Sequence, residues 1–273
     1  MQQIKDKVAV ITGAGSGIGR ALAMALAKQG CKLALNDWNG DSLAETVQML
    51  GDQTEVQSAT FDVGDRESVY GFAQNVKDYF GRVDIVVNNA GFTLEQKRIE
   101  DIDIEDYERI MRVNMWGVIY GTKAFLPFLQ EQPEASLVNI SSIFGIVGQP
   151  LQGPYVASKF AVRGFTETLR NELRKSSVAI TCVHPGGIRT NIIRNIETNQ
   201  QARLQKFANA FDKMAGTSAE DAAAQILNAI QKKKVRLLIG RDAKMMDLAA
   251  RLLPRTYDKL IYRNLDIERI RIK

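Results

Sequence analysis

The sequence contains very little histidine, cysteine and tryptophan, with one His, two Cys and two Trp among 273 residues. A zinc site needs about three or four clustered ligands, and the single histidine, His184, ends a predicted strand without partner ligands. We therefore expect no metal and interpret His184 as structural. Cys31 and Cys182 lie at the start of one predicted strand and inside another, where a thiol usually behaves as a small apolar group.

Long apolar runs and a strong excess of one charge are also lacking. No stretch approaches the roughly 18 uncharged apolar residues that a membrane-spanning helix needs. The first residues, which include Lys5, Asp6 and Lys7, do not fit a signal peptide, so we expect a cytoplasmic protein. The net charge of +5 is too small and too dispersed for a nucleic-acid surface, and no nucleic-acid partner is expected.

Short apolar or β-branched runs alternate with longer amphipathic segments along the chain. The predicted strands are Val8–Thr12, Leu33–Leu35, Val56–Phe61, Ile85–Val87, Leu137–Ile140, Ile180–Val183 and Val235–Ile239. The predicted helices are Ile18–Gln29, Ser42–Leu50, Arg66–Phe80, Ile104–Gln130, Tyr155–Lys175 and Ala219–Lys232. Because parallel strands need crossover connections, this order predicts an α/β fold, a single doubly wound Rossmann-type domain (residues 1–240) with a seven-stranded parallel sheet flanked by helices.

A glycine-rich turn follows the first predicted strand directly and opens the first helix. Glycines permit a tight turn, let backbone N–H groups reach a pyrophosphate, and aim a helix N-terminus at its negative charge. Gly13, Gly17 and Gly19 have the spacing G-x-x-x-G-x-G, which differs from the common G-x-G-x-x-G. Taken alone, the turn fits a flexible loop about equally well.

Asp37 ends the second predicted strand, close to the offset of roughly 20 residues at which a carboxylate meets the adenosine ribose of a bound dinucleotide. A carboxylate there repels the 2′-phosphate of NADP, and neither Trp38 nor Asn39 offers the arginine that such a phosphate favours. The sequence therefore favours NAD. For Asp37 taken alone, a helix-capping role in the loop is at least as good an interpretation.

Further motifs follow in an order that resembles the short-chain dehydrogenase/reductase family, and the resemblance covers about residues 5–240. The motifs are Thr12-Gly13-x3-Gly17-Ile18-Gly19, Asn88-Asn89-Ala90-Gly91, Asn114, Ser141-Ser142, Tyr155-Val156-Ala157-Ser158-Lys159, and Pro185-Gly186 with Thr190. The resemblance implies NAD as the cofactor. The cofactor-binding residues that it implies, together with those of the glycine-rich turn, are Gly13, Ser16, Gly17, Ile18, Gly19, Asp37, Asp62, Val63, Asn89, Ala90, Gly91, Tyr155, Lys159, Pro185, Gly186, Ile188 and Thr190.

Tyr155 and Lys159 are four residues apart, so a helix that starts near Tyr155 places them on one face. A phenol with an ordinary pKa of about 10 is a poor base at neutral pH, and a nearby ammonium favours the phenolate. The resemblance implies that Tyr155 is the catalytic acid/base and that Lys159 also binds the nicotinamide ribose. It further implies that Ser142 hydrogen-bonds the substrate oxygen and that Asn114 supports a water linked to the lysine.

These features predict an oxidoreductase that transfers a hydride between NAD(H) and an alcohol or carbonyl substrate. One alternative is a non-catalytic dinucleotide-binding regulatory protein of the same fold, which would not need the acid/base set. Another is a nucleotide-sugar epimerase or dehydratase, which would need a differently spaced glycine turn and a larger substrate domain. The resemblance also implies a homo-oligomer, dimer or tetramer, built through the helices that bear Asn114 and Tyr155.

Residues 241–273 form a predicted basic, amphipathic extension. It holds six Arg and three Lys against four Asp and one Glu, a net +4. Apolar residues recur at helical spacing at Met245, Leu248, Ala249 and Leu252, and Pro254 should interrupt that helix. We favour a helix packed on its own domain or on a second copy. The alternative is peripheral contact with an anionic membrane, which would suit a lipophilic substrate.

Overall fold

This computed structural model describes residues 1, 3–190, 192–194, 196, 202, 205, 208–209 and 215–262. Most of the connection between residues 191 and 201 lies outside the described residues, as do residues 263–273 of the predicted extension. The strands are β1 (Val8–Thr12), β2 (Lys32–Asp37), β3 (Val56–Thr60), β4 (Ile85–Asn88), β5 (Ala135–Ile140), β6 (Val178–Pro185), β7 (Ile188–Arg189), β8 (Thr217–Ser218) and β9 (Arg236–Ile239).

Seven of the described α-helices lie between these strands, and the last two follow β9. The helices are α1 (Gly17–Lys28), α2 (Gly40–Leu50), α3 (Arg66–Phe80), α4 (Ile104–Met111), α5 (Gly117–Gln130), α6 (Gly153–Glu172), α7 (Ala219–Gln231), α8 (Arg241–Leu252) and α9 (Tyr257–Ile261). Side-chain caps begin three of them, since Asn39, Asp65 and Ser218 each accept a hydrogen bond from a backbone N–H of the following first turn.

Seven strands form one parallel sheet in the order β3-β2-β1-β4-β5-β6-β9. The predicted single Rossmann-type α/β domain with seven parallel strands flanked by helices is therefore confirmed. The central strands β1, β4 and β5 are buried along their whole length, as expected for a sheet covered on both faces. The strand order reverses between β1 and β4, so the loops after these two strands border the crevice where such folds bind ligands.

Two apolar layers hold the helices against the sheet. On one face, Leu22 and Leu26 of α1 pack with Ile226 of α7. On the other, Phe72 of α3 and Phe125 of α5 pack with their rings edge to face, 6.2 Å between centroids. These layers bury the central strands and leave the carboxyl ends of the strands to carry the polar groups described below.

The long helix predicted over Ile104–Gln130 is interrupted. A π-helical turn, Arg112–Trp116, separates α4 from α5 and has Asn114 at its centre, fully buried. A π turn holds one residue more than an α turn, which rotates the side chains that follow and often occurs at functional positions. Helical periodicity alone does not reveal such a turn.

Helix α8 is the helix predicted for the extension, and it packs through a different face from the one predicted. Ala243 is buried and packs with Met246 and Ala250 against residues after Ser142. In contrast, Met245, Leu248 and Leu252 are 71%, 55% and 70% exposed. The small alanines allow close approach to the domain, and Asp247 is held by Arg236 of β9 at 2.6 Å, which orients the large apolar side chains outward.

Helix α8 ends before Pro254, as predicted, and α9 follows it. Within the described residues, no helix is both long and apolar enough to cross a membrane.

Candidate active site

The glycine-rich turn is packed too tightly for side chains. Gly13 and Gly17 have φ angles of +67° and +53°, which favour glycine. A Cβ at Gly19 would overlap the Gly13 carbonyl oxygen, and a Cβ at Gly13 would lie 2.8 Å from Ala90 Cα. The turn therefore lies directly on the loop after β4.

Helix α1 begins directly after this turn. Its N-cap residue, Ser16, has extended backbone and makes no side-chain cap bond within the described part of the chain. The first N–H groups of a helix have no intrahelical partner, so Gly17, Ile18 and Gly19 present donors and the positive end of the helix dipole. These are the groups that a pyrophosphate requires.

The loop after β4 is fastened to the glycine turn by hydrogen bonds. The Asn89 side chain donates to the backbone oxygens of Thr12, at 2.9 Å, and Gly13, at 3.1 Å. The Thr12 hydroxyl accepts from the N–H groups of Asn89 and Ala90 at 3.0 and 3.1 Å. The two loops at the sheet's reversal point thus form one unit.

Asp37 lies beside this unit, at the carboxyl end of β2, and is 7% exposed. Its carboxylate accepts from Gly15 N–H at 2.8 Å and from Asn39 N–H at 2.9 Å. Arg20, which was not predicted as a site residue, lies nearby, and its guanidinium is already hydrogen-bonded. Its guanidinium donates to the Gly15 carbonyl oxygen and pairs with Glu45, each at 2.5 Å.

Asp62 and Val63 lie in the loop after β3. The Asp62 carboxylate pairs with Arg112 at 2.8 Å and accepts from Gly64 N–H, also at 2.8 Å. Val63 is buried against Gly117. The arginine pairing links this loop to the π-helical turn and was not predicted.

The carboxyl end of β6 carries the last predicted cofactor residues. Pro185 ends the strand, and Gly186 N–H donates to Ile239 oxygen at 2.9 Å. Ile188 is buried and forms a short parallel pair with β8. Thr190 lies close to the glycine turn, because a Cβ at Gly17 would be 3.2 Å from the Thr190 side chain.

Asn114 joins the loop after β4 to the helix that bears Tyr155. Its side chain accepts from Phe92 N–H and donates to Phe92 oxygen, each at 3.0 Å, and it donates to the Ser158 hydroxyl at 3.1 Å. A Cβ at Gly91 would lie 3.0 Å from the Asn114 amide oxygen and 3.3 Å from Lys159 Nζ. Asn114, Gly91 and Lys159 are therefore brought together.

Ser142, Tyr155 and Lys159 also converge. Helix α6 begins at Gly153, with Pro154 in its first turn, which places Tyr155 and Lys159 on successive turns. The Lys159 ammonium lies 5.6 Å from the Tyr155 ring centroid and donates to Ile140 oxygen at 3.1 Å. The Ser142 hydroxyl caps the short turn Ile143–Gly145 by accepting from Phe144 N–H at 3.1 Å.

The pKa values of Tyr155 and Lys159 differ from the expectation that the lysine ammonium favours the phenolate. Burial raises the pKa of Tyr155, and the Ser142 hydroxyl lowers it in part. Burial also lowers the pKa of Lys159 to about 8. The amine is directed at the Ile140 carbonyl rather than at the phenol oxygen, so desolvation dominates and the phenol is held in its protonated form.

A cavity of about 220 Å³ borders Tyr155. Its lining combines apolar and charged side chains, none of which the sequence analysis singled out apart from Tyr155. They are Leu94, Glu95, Lys97, Ile102, Asp106, Arg109, Leu151, Gln152, Pro154 and Tyr155. Only their position in the sequence could have indicated these lining residues, because Leu94 and its neighbours follow the Asn-Asn-Ala-Gly loop.

A family model described as short chain dehydrogenase matches residues 7–201. The chain belongs to the short-chain dehydrogenase/reductase family. SadH of Mycobacterium tuberculosis is 46% identical over 267 residues, which cover 96% of each protein. These matches confirm the family resemblance.

Solved short-chain dehydrogenases agree with the described fold. One from Burkholderia phymatum in complex with NAD has a TM-score of 0.84 and 31% identity, covering 97% of this chain and 98% of that one. An alcohol dehydrogenase from Thermococcus sibiricus, complexed with 5-hydroxy-NADP, has a TM-score of 0.72 and 31% identity, covering 86% and 95%. NAD as a cofactor of this family is thus confirmed, while the choice between NAD and NADP depends on each chain's own residues.

No group of three or more His, Cys, Asp or Glu side chains is arranged to hold a metal ion within the described ranges. His184 is fully buried next to Ser142 in this short-chain dehydrogenase. Its Nδ1 lies 3.0 Å from Ser142 oxygen, and its Nε2 is buried with no hydrogen-bond partner among the described atoms. Burial lowers the pKa of His184 to about 4, so the folded protein holds it neutral.

This burial predicts a pH-dependent stability. Because the pKa of His184 is lower in the folded than in the unfolded chain, unfolding takes up a proton below about pH 6.5, and stability falls as the pH falls toward 4. Wild type should lose about 2 kcal/mol of unfolding free energy between about pH 7 and about pH 5 that His184→Gln does not lose. Urea denaturation at both pH values measures the difference. Since His184 is the only histidine, parallel pH profiles of the two proteins would contradict the assignment.

Proposed function

We propose that this short-chain dehydrogenase transfers a hydride between NAD(H) and the carbon of an alcohol or carbonyl substrate, with Tyr155 as general acid/base. The observation that carries the proposal is the half-buried Tyr155 side chain, which lies beside the Ser142 hydroxyl, one helical turn from Lys159, and at the wall of a cavity. A non-catalytic dinucleotide sensor would have no use for these groups in this arrangement.

Each catalytic side chain has a chemical role. NAD, when bound, supplies the hydride acceptor, and NADH the donor. In reduction, the Tyr155 phenol, which burial keeps protonated, donates its proton to the oxygen of the forming alcohol. In oxidation, Tyr155 first releases its own proton, and the phenolate then removes the alcohol proton. Ser142 donates a hydrogen bond to the substrate oxygen, Lys159 binds the nicotinamide ribose, and Asn114 supports the water linked to Lys159.

The described residues fit NAD. The glycine turn and the first N–H groups of α1 hold the pyrophosphate, and Asp37 holds the adenosine ribose. The remaining residues proposed to surround the cofactor are Asp62 and Val63 at the adenine, Asn89, Ala90 and Gly91 beneath the dinucleotide, and Pro185, Gly186, Ile188 and Thr190 at the nicotinamide.

NAD is the preferred dinucleotide in this proposal. Asp37 repels a 2′-phosphate, and the adjacent cation, Arg20, is committed to Glu45 and the Gly15 carbonyl oxygen.

Replacing Tyr155 by Phe tests the proton transfer. Tyr155→Phe should lower turnover by about 10²-fold to 10⁴-fold, because it removes only the acid/base hydroxyl. The Kd of NAD should stay within about threefold of the wild-type value, which corresponds to a change in binding free energy of less than about 1 kcal/mol. Turnover is followed by the absorbance of NADH across a panel from short diols to steroids and long-chain alcohols.

Tyr120→Phe, on α5 with its ring stacked on Trp116, is the matched control. Near wild-type turnover by Tyr155→Phe would remove Tyr155 from the mechanism.

Replacing Asp37 by Ala tests the cofactor choice. Charged hydrogen bonds of this kind contribute about 1.5–3 kcal/mol, so kcat/KM with NAD should fall by roughly 10-fold to 100-fold while kcat/KM with NADP rises or stays constant. Asp41→Ala, an exposed carboxylate in the first turn of α2, should change neither value. A wild-type protein that prefers NADP would overturn the role given to Asp37.

The substrate is proposed to be lipophilic and to arrive through peripheral contact with a membrane. The outer face of α8 exposes Met245, Leu248 and Leu252. The described residues of the extension carry one exposed carboxylate, Asp258, beside five exposed cations, which are Arg241, Lys244, Arg251, Arg255 and Lys259. An apolar stripe flanked by cations suits an anionic lipid surface.

Vesicle binding tests the membrane contact. Wild type should co-sediment with phosphatidylserine-containing vesicles more than with phosphatidylcholine vesicles, because of its cations. Leu248→Ser/Leu252→Ser should reduce that binding at least about tenfold, since each leucine contributes about 1.5–3 kcal/mol when buried. Ile104→Ser, which changes an exposed apolar residue on α4, is the control. Equal and negligible vesicle binding by all of these proteins would contradict the proposed membrane contact. A double variant that dissociates in size-exclusion chromatography would assign this face to a second copy.

A homo-oligomer, dimer or tetramer, is part of the proposal. Trp116 and Phe160, near the predicted interface helices, are 49% and 40% exposed, which supports apolar contact between copies. The cytoplasmic location remains a prediction from the sequence.

A further inference from the structure

One carboxylate of the extension, that of Asp242, contacts the turn that follows β6. Asp242 lies in the first turn of α8, and its Oδ2 accepts a hydrogen bond from Gly187 N–H at 2.6 Å. A bond of this length between a backbone N–H and a carboxylate belongs to the stronger, charge-assisted class. The Gly186-Gly187 turn is therefore held by a residue more than 50 positions away in the sequence.

Two glycines make room for this carboxylate. A Cβ at Gly186 would overlap both carboxylate oxygens of Asp242, and a Cβ at Gly240 would overlap Oδ1. Gly240 also has a φ angle of +100°, which lets the chain turn from β9 into α8. The glycine at position 186 thus serves the approach of Asp242 as well as the turn itself.

The same helix also supports the loop that carries Ser142. Ala243, next to Asp242, is fully buried and packs in one cluster with Ile143 and Val147, which closely follow Ser142. Further along, Tyr257 accepts a hydrogen bond from Gly148 N–H at 3.4 Å. The extension is in this way attached to two separate loops of the candidate active site.

We propose that Asp242 is a positioning residue for the nicotinamide end of the site. It acts by holding the Gly186-Gly187 turn, and through it the adjoining Ile188 and Thr190. This inference rests on the proposed function for the role of those two residues. Without the carboxylate, the Gly187 N–H loses its acceptor and the space between Gly186 and Gly240 is left unfilled, so the turn is free to shift away from the cofactor.

The test compares Asp242 with Asp247 on the same helix. Asp247 is also a bonded carboxylate that anchors α8, but it binds Arg236 on β9 rather than the turn after β6. Asp242→Ala, Asp242→Asn and Asp247→Ala are prepared in the full chain. For each, the Kd of NAD is measured by quenching of intrinsic fluorescence, with the melting temperature and, once a substrate is known, the KM of NAD and kcat.

Asp242→Ala should raise the Kd of NAD by roughly 10-fold or more, the loss expected for one charge-assisted hydrogen bond. Asp242→Asn keeps an oxygen acceptor for Gly187 N–H without the negative charge and should restore part of the affinity. Asp247→Ala should lower the melting temperature and leave the Kd near the wild-type value.

The inference is overturned if folded Asp242→Ala binds NAD as wild type does, if Asp242→Asn fails to restore any of the affinity, or if Asp247→Ala weakens NAD binding to the same degree. NAD binding needs no substrate. Wild-type protein that binds NAD but turns over no alcohol or carbonyl would contradict the proposed function, and the Kd values of the Asp242 variants would still decide whether Asp242 positions the turn.

Discussion

The placement of the half-buried Tyr155 beside the buried Ser142 and Lys159 is the constraint on which the rest of the proposed site depends. Burial favours the uncharged form of each group, so the phenol keeps its proton and the lysine holds its proton less firmly than in water. A proton is exchanged efficiently only when the acid, the base and the reacting oxygen are held in contact. The fold supports the proposed exchange by starting α6 two residues before Tyr155 and by ending β5 directly before Ser141 and Ser142.

Side-chain hydrogen bonds connect the proposed acid/base group to the proposed dinucleotide crevice. Asn89 and Thr12 fasten the loop after β4 to the glycine turn, and Asn114 fastens the same loop to α6 through Phe92 and Ser158. These bonds lie at the point where the strand order reverses, so a single network of side-chain hydrogen bonds connects the proposed cofactor crevice with the helix that bears Tyr155. The π-helical turn contributes by bringing Asn114 fully into the interior.

Much of this architecture could be predicted because it depends on patterns among residues that are close together in the sequence. Alternating apolar runs and amphipathic segments predicted all seven strands of the main sheet, and the glycine spacing predicted the start of α1. Other features depend on contacts between distant residues. The direction of the Lys159 amine, the pairing of Asp62 with Arg112 and the bond from Gly187 to Asp242 leave no local pattern. The packed face of α8 was also missed, because small alanines and a paired aspartate pack there instead of the large periodic side chains.

A crystal structure of the protein with NAD bound tests the central claim most directly. The account predicts that the nicotinamide ring lies between the Gly186-Gly187 turn and the cavity, with its C4 facing the Tyr155 hydroxyl and its ribose next to Lys159. A phenol turned away from the ring, or a dinucleotide bound outside the crevice between β1 and β4, would contradict the account.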